Sequence, residues 1–230
     1  MTARSFTLAD PASLDDLQTF LARAQRVEDG SVRLIGGSGV LAVYAAVLYP
    51  AGLLDETPTV LGLRTLALTS RGDFDVVVPI RSLLLRVERA QELAVTAIAD
   101  GREEPATVGL PMEVHTATWA AISPPRGGWR AVQGPDAAAL DQVARDGIAE
   151  VAEIVPDAVG ESIVRRVRGE VWGREIPGAE HIPAGAGFAA VSLGFLGDDE
   201  VKAYETGPWT RLTTRRGHVL VRRRAWTLSR

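Results

Sequence analysis

The stretch LIGGSGVLAVYAAVLYPAGLL, residues 34–54, decides which kind of fold this chain can adopt. It contains no charged residue and is long enough to span a bilayer. However, Gly36-Gly37-Ser38-Gly39 interrupts it near its start, and Tyr49-Pro50-Ala51-Gly52 interrupts it near its end. The remaining residues 40–49 have the length of one long buried strand, and no basic cluster flanks the run. We therefore predict a core strand in a soluble protein without membrane association.

The segments around this run also have the composition of strands. Strands are predicted at residues 31–35, 40–49, 59–69 and 74–79. Gly36-Gly37-Ser38-Gly39 separates the first two segments, and Ser70-Arg71-Gly72-Asp73 separates the last two. Because glycine readily adopts the positive φ of tight turns, both separations are predicted to be β-hairpin turns.

Apolar residues at helical spacing predict five helices in the rest of the chain. The helices are expected at residues 13–30, 80–99, 136–155, 156–172 and 183–196. Ser13 and Asp136 are the predicted N-caps of the first and third helices. Further strands are predicted at residues 113–122, 129–133, 200–205, 209–214 and 218–226. The last two of these strands share a hairpin tip at Arg215-Arg216-Gly217.

This order of elements predicts an α+β fold, with a largely antiparallel sheet or sheets and packed helices, because short hairpins join the strands. The sequence changes in character near Gly134-Pro135. We expect residues 1–134 to form a subdomain of a helix and an antiparallel sheet. Residues 135–230 are expected to form a second subdomain of three helices and a C-terminal β-meander. A single domain is the alternative that the pattern leaves open.

Composition excludes several classes of site. The 230 residues include no cysteine, which excludes disulfides, thiolate metal sites and thiol nucleophiles. Every basic residue except Lys202 is arginine, a bias typical of GC-rich bacteria such as actinobacteria. The first ten residues lack the pattern of a signal peptide, so a cytoplasmic location is expected. The three histidines are not spaced as metal ligands, and phosphate-loop and nucleophile-elbow motifs are absent. We predict no cofactor and no metal site, and we favour a non-enzymatic role.

Charge is distributed unevenly along the chain. Residues 201–230 contain eight basic residues and one acidic residue, a net charge of +7. Since the whole chain carries −4, residues 1–200 carry −11. Three interpretations of this basic C-terminal hairpin remain open. They are self-association or docking on a protein partner, binding of nucleic acid, and a solvated strand edge that prevents aggregation.

Self-association or docking is the favoured interpretation, and it predicts a homo-oligomer or a complex with another protein. The residues predicted to bind a partner or nucleic acid are Trp209, Arg211, Arg215, Arg216, Arg222, Arg223 and Arg224. The nucleic-acid alternative depends on a topological similarity to winged helices, in which this hairpin would be the wing. Its weakness is that residues 184–197, the helix before the wing, have almost no side chain able to read bases.

An enzyme or small-ligand binder without a local motif is the other alternative. In that case the side chains that would converge on a pocket are Tyr49, Asp55, Arg64 and Trp129.

Overall fold

The structure, a computed structural model, describes residues 5–52, 54–69, 73–102, 104–154 and 160–222. The described residues form five α-helices and short to medium strands in an α+β fold, and every strand pair whose register is defined is antiparallel. The chain divides into two compact units. Unit 1 comprises Met1–Ala45 and Leu63–Ala121, and unit 2 comprises Ala46–Gly62 and Ile122–Arg230. The predicted fold class is confirmed, whereas the predicted domain boundary at residue 134 stays a prediction.

Unit 1 contains two helices packed against each other and most of the early strands. Its helices are α1 (Ser13–Val27) and α2 (Ile80–Ala99), and Thr118–Ala121 forms a short 3₁₀ turn. Its strands are β1 (Ser5–Thr7), β2 (Ser31–Gly37), β5 (Phe74–Pro79), β6 (Thr107–Gly109), and parts of β3 (Val40–Leu48) and β4 (Thr59–Ala67). The strand order is β5-β2-β3-β4, and β1 pairs separately with β6. The apolar run of residues 34–54 thus supplies β2 and β3, whose residues Leu34, Leu41 and Val43 are buried.

Unit 2 contains the other three helices and the C-terminal strands. Its helices are α3 (Ala137–Ile154), α4 (Glu161–Trp172) and α5 (Gly185–Ser192). Its strands are β7 (Arg130–Val132), β8 (Glu175–Ile176), β9 (Ala179–Pro183), β10 (Lys202–Thr206), β11 (Trp209–Thr213) and β12 (His218–Arg222), with the start of β4. The strand order is β4-β12-β11-β10-β7, and β8 and β9 form a separate hairpin.

The small-residue helix α5 is buried inside unit 2. Gly185, Ala186, Gly187, Ala189 and Ala190 are all inaccessible, and α5 packs closely on α3. A Cβ atom at Gly187 would lie 2.7 Å from the backbone oxygen of Leu140. The lack of a side chain at this glycine therefore allows the backbones of the two helices to approach closely.

Two predicted hairpin joints have different outcomes. The hairpin of β2 and β3 is confirmed, and its turn places Ser38 and Gly39 at φ of 53° and 79°. The predicted hairpin between β4 and β5 is wrong, because β5 pairs with β2 on the opposite side of the sheet. Both β2 and β4 contain apolar residues that could face those of β5, so the pattern of β5 does not show which of the two strands it pairs with. The predicted turn residues 70–72 lie outside the described residues.

Several local predictions also need correction. Ala12, not Ser13, occupies the N-cap position of α1, and the side chain of Asp10 accepts a hydrogen bond from its N–H at 2.9 Å. Asp136 is confirmed as a cap, since its Oδ1 accepts a hydrogen bond from the N–H of Ala139 at 2.8 Å. The predicted strand at 113–122 is wrong, because a 3₁₀ turn that buries Trp119 ends this segment. The helix predicted at 183–196 is only α5, because Pro183 ends strand β9.

None of the helices in the described part of the chain is long and apolar enough to cross a membrane.

Candidate docking site

Among the described residues that line a groove of unit 2, Asp55 is one of the four residues predicted for a pocket. This groove has a volume of about 650 Å³ and is formed by Ala51, residues 55–58, one side of α4 and the two residues after it. Tyr49 and Trp129 also belong to unit 2 but are not among the described residues that line this groove. Arg64 belongs to unit 1, where its guanidinium forms an ion pair with Asp16.

The charged groups of this groove are paired within the protein. Arg165 bonds to Glu161 at 2.8 Å, and Arg166 bonds to Glu170 at 3.0 Å. Both pairs are i,i+4 contacts on the surface of α4, which contribute only a few tenths of a kcal/mol each. The carboxylates of Glu161 and Glu170 are therefore paired with neighbouring arginines of the same helix.

Asp55 stabilises the loop that forms one wall of the groove. Its carboxylate accepts hydrogen bonds from the backbone N–H groups of Ala51 and Thr57 at 2.7 and 2.9 Å. Burial alone would raise the pKa of Asp55, but a hydrogen bond from the side chain of Thr57, the two backbone hydrogen bonds and the charge of Arg165 lower it below its ordinary value. A carboxyl that stays ionised and bonded in this way has a structural role. The described residues also contain no group of three His, Asp or Glu side chains that could hold a metal ion.

The tip of the β11–β12 hairpin is held by the loop that follows α5. Thr214 Oγ1 donates to the carbonyl of Phe195 at 2.8 Å, and Arg216 Nη1 donates to the carbonyl of Leu196 at 3.1 Å. The N–H of Arg215 donates to Asp199 at 2.8 Å. This backbone hydrogen bond lowers the pKa of Asp199. The acidic turn after α5 therefore positions the hairpin tip, while both arginine side chains remain exposed.

A second cluster forms around Arg211 on β11. Arg211 lies directly opposite Tyr204 on β10, and Tyr204 lies opposite Ala131 on β7. The guanidinium carbon of Arg211 is 4.5 Å from the centre of the Trp129 ring and 4.9 Å from that of Tyr204. The indole of Trp129 is oriented by a hydrogen bond from its Nε1 to the carbonyl of Pro125 at 3.1 Å. The guanidinium is thus held by two aromatic rings.

Arg211 has no carboxylate partner among the described residues. Its Nε is buried without a hydrogen-bond partner in the described part of the chain, and burial lowers its pKa despite a compensating effect of Tyr204. The nearest acidic residue in sequence on β10 is Glu205. Because successive strand residues point to opposite faces, Glu205 lies on the other face from Tyr204, where it accepts a hydrogen bond from Thr210 at 3.4 Å.

The remaining predicted docking residues are placed in different environments. Trp209 is 4% exposed, so its ring is part of the interior and is not presented to a partner. Arg222, at the end of β12, is exposed. Arg223 and Arg224 lie outside the described residues.

The structure brings together residues to which the sequence assigns different roles. The sequence predicts Trp129 for a pocket and Arg211 for docking, and it assigns no role to Tyr204. The two-residue turn Gly207-Pro208 is the sequence feature from which Tyr204 can be predicted as the cross-strand neighbour of Arg211. If Thr206 pairs with Trp209 across this two-residue turn, the antiparallel register places Tyr204 opposite Arg211.

Comparison with known families matches two parts of the chain to domain models. Residues 1–117, half of the chain, match the model of "Domain of unknown function (DUF8010)". The chain belongs to the DUF8010 family. Residues 124–226 match a second model, "Domain of unknown function (DUF8185)". No curated protein matches the sequence.

Solved structures similar to this DUF8010 protein are bacterial β clamps. The β subunit of DNA polymerase III from Borrelia burgdorferi superposes with a TM-score of 0.52 at 7% identity, over 95% of this chain and 64% of that one. The β clamp of Helicobacter pylori bound to a DNA ligase peptide has a TM-score of 0.45 at 10% identity, over 96% and 66% of the two chains. The polymerase III β subunit of Caulobacter crescentus has a TM-score of 0.45 at 11% identity, over 95% and 65%.

These matches concern the fold. The Borrelia protein shares the fold of this chain, which spans 64% of that protein's length.

Proposed function

We propose that this DUF8010 protein is a non-catalytic association protein, in which the basic C-terminal hairpin of one copy binds an acidic surface of another. The observation that carries this proposal is the fixed hairpin tip. Three hydrogen bonds from Thr214, Arg215 and Arg216 hold the tip on the loop after α5. A surface that is already ordered loses little conformational freedom on binding, which favours association.

An acidic segment of the same chain is the complementary surface. Residues 136–161 contain seven acidic residues and a single arginine. On α3, Asp146 and Glu153 are exposed, whereas Glu150 is engaged with Arg174 at 2.6 Å. Because opposite charges steer two surfaces together and disfavour wrong partners, the basic tip and α3 of a second copy form a consistent pair.

The comparison with the Borrelia protein is compatible with this role. That protein is named as a subunit of DNA polymerase III, so it works as part of an assembly. A role in association for the present chain agrees with its fold and with the paired charges of its groove.

A charge-swap experiment tests the proposal. At low salt the wild type is expected to associate by light scattering. The double variant Arg215→Glu/Arg216→Glu and the double variant Asp146→Arg/Glu153→Arg are each expected to remain monomeric under the same conditions. An equimolar mixture of the two variants is expected to associate again, because the reversed charges are complementary. Wild-type association is expected to weaken between about 50 and 500 mM salt, since screening shortens the range of surface charges.

Arg86→Glu/Arg89→Glu on α2 is the matched control, because it makes the same change in net charge at exposed arginines of unit 1. This control is expected to associate as the wild type does. A wild type that stays monomeric at low salt up to high protein concentration would contradict the proposal. So would a mixture of the swapped variants that stays monomeric.

The burial of α5 argues against the winged-helix alternative. The helix that would enter the groove of a duplex is α5, and this helix is buried against α3. A side chain inside the protein cannot contact base edges.

A further inference from the structure

Among the described residues of β10, β11 and β12, one face of the sheet carries basic side chains and no acidic one. Residues of β10, β11 and β12 alternate between two faces, and the cross-strand pairs Tyr204–Arg211 and Trp209–Arg222 define which residues share the face of Arg211. The residues on this face are Lys202, Tyr204, Thr206, Trp209, Arg211, Thr213, His218, Leu220 and Arg222. Three of them are basic and none is acidic. We call this surface the basic face.

Among the described residues of the basic face, Arg211 is the one basic side chain that aromatic rings hold in a defined position. Lys202 and Arg222 are exposed, whereas Arg211 is half-buried between Trp129 and Tyr204. Its Nε is enclosed, and the described residues offer its guanidinium no hydrogen-bond acceptor. An arginine fixed in this way presents its remaining N–H groups in a planar fork that matches a carboxylate.

From this geometry we infer that the basic face is a docking site for an acidic segment of a protein partner, with Arg211 binding one of its carboxylates. The inference rests on the proposed function only in taking the partner to be a protein.

The shape of the site favours a protein segment over a small molecule. Arg211 is half-buried on the basic face, where Trp209 and Leu220 are buried, and the groove of about 650 Å³ in unit 2 is lined by other residues. A small carboxylate that contacts Arg211 alone would form a single ion pair with a partly exposed side chain, which binds weakly. A peptide segment with several carboxylates contacts Arg211 together with Lys202 or Arg222. Trp, Tyr and Arg are also the residues that most often dominate the energetics of protein interfaces.

The Nε–H of Arg211 provides a direct readout of binding. Because this N–H is buried, it exchanges slowly with water, and its NMR signal in the ¹⁵N-labelled full chain is assigned by its absence in Arg211→Lys. The probes are the blocked peptide acetyl-Glu₄-amide, the neutral peptide acetyl-Gln₄-amide and inorganic phosphate. We expect a saturable shift of the Arg211 signal with the Glu peptide and none with the Gln peptide. The Nε–H signal of Arg33, which donates to Asp75 at 2.7 Å, serves as the internal control and is expected not to move.

Variants separate the role of Arg211 from general electrostatic attraction. Arg211→Met is expected to reduce affinity for the Glu peptide at least tenfold, measured by the shifts of backbone amides on β10 and β11. Arg211→Lys keeps the charge but loses the planar fork, so a reduction of several fold is expected. The Trp129→Leu variant is expected to weaken binding without changing net charge.

Two results would overturn the inference. One is the absence of any shift with the Glu peptide in the folded wild type. The other is a shift with phosphate at the same concentration as with the Glu peptide, which would indicate an adventitious anion only. Repeating the titration in Arg215→Glu/Arg216→Glu keeps the two proposals distinguishable. A peptide response in this variant supports the carboxylate site even if self-association fails.

Discussion

Arg33 in unit 1 and Arg211 in unit 2 are both half-buried arginines in the middle of a strand, yet their surroundings differ. Arg33 donates from Nε and Nη2 to the two carboxylate oxygens of Asp75, at 2.7 and 2.6 Å. Its Nη1 donates to the carbonyl of Ala120 at 2.7 Å. Arg211 instead contacts the rings of Trp129 and Tyr204. The bond to Asp75 raises the pKa of Arg33 despite burial, whereas burial lowers the pKa of Arg211.

Arg33 forms its hydrogen bonds within the protein, whereas Arg211 is the arginine that we propose binds a partner. The bonding capacity of Arg33 is used inside unit 1, where the guanidinium connects β2, β5 and the 3₁₀ turn. Arg211 is positioned equally well, but aromatic rings supply position without accepting its hydrogen bonds. We therefore expect loss of Arg33 to affect stability and loss of Arg211 to affect binding.

Replacing Arg33 is expected to have the largest effect on stability. The Arg33→Met variant leaves Asp75 and the Ala120 carbonyl without their donor, and we expect the free energy of unfolding to fall by about 2 kcal/mol. The measurement is urea denaturation. Arg81→Met is the matched control, since it breaks an ion pair with Asp29 in which Arg81 is 72% exposed. A loss of less than about 0.5 kcal/mol is expected for that exposed pair. Equal losses in the two variants would remove the distinction drawn for Arg33.

Replacing Arg211 is expected to have little effect on stability. Methionine retains the apolar contact with the two rings and removes a buried donor that has no partner among the described residues. The free energy of unfolding of Arg211→Met is therefore expected to stay within about 0.5 kcal/mol of the wild type by the same urea measurement. A loss as large as that of Arg33→Met would mean that Arg211 is also a structural residue.

The smallest expected effect is the loss, at low pH, of the hydrogen bond between Asp199 and the N–H of Arg215 at the hairpin tip. The folded pKa of Asp199 lies below its ordinary value of 3.8, mainly because its carboxylate accepts the N–H of Arg215. The contribution of this bond is therefore present above about pH 4 and lost as the pH falls through the depressed folded pKa. We expect the backbone amide signal of Arg215 to titrate by NMR with a midpoint below 3.8. Asp199→Asn is expected to abolish this titration, and a midpoint at or above 3.8 would contradict the assignment.

Local patterns predicted most of the individual elements. The limits of α2 agree with the helical spacing of its apolar residues, because one face is buried against α1. The hairpin of β2 and β3 was predictable because glycine readily adopts the positive φ of a tight turn. The pairing of β5 with β2 was not, since an apolar alternating strand fits several neighbours. The prediction of a strand at 113–122 was wrong. This segment is irregular and includes the 3₁₀ turn, in which Trp119 and Ala120 are buried without forming a strand.

The candidate site was predicted only in fragments. The unequal charge of residues 201–230 predicted a docking role for the β11–β12 hairpin. However, charge counts do not show that Arg216 is bonded to the Leu196 carbonyl or that Trp209 is buried. They also gave no reason to associate Trp129 with Arg211, which is more than eighty residues later in the chain.

The sequence by itself determined the α+β class, the early hairpin, the absence of thiol chemistry and the charge contrast between the C-terminal strands and the rest. These properties follow from composition and from periodicity over a few residues. Only the tertiary structure decided that Arg33 has a carboxylate partner and that Arg211 has two aromatic rings instead. The reason is that a side chain's partner depends on which strands become neighbours and on which face each residue lies. Both are set by long-range pairing, which local patterns do not encode.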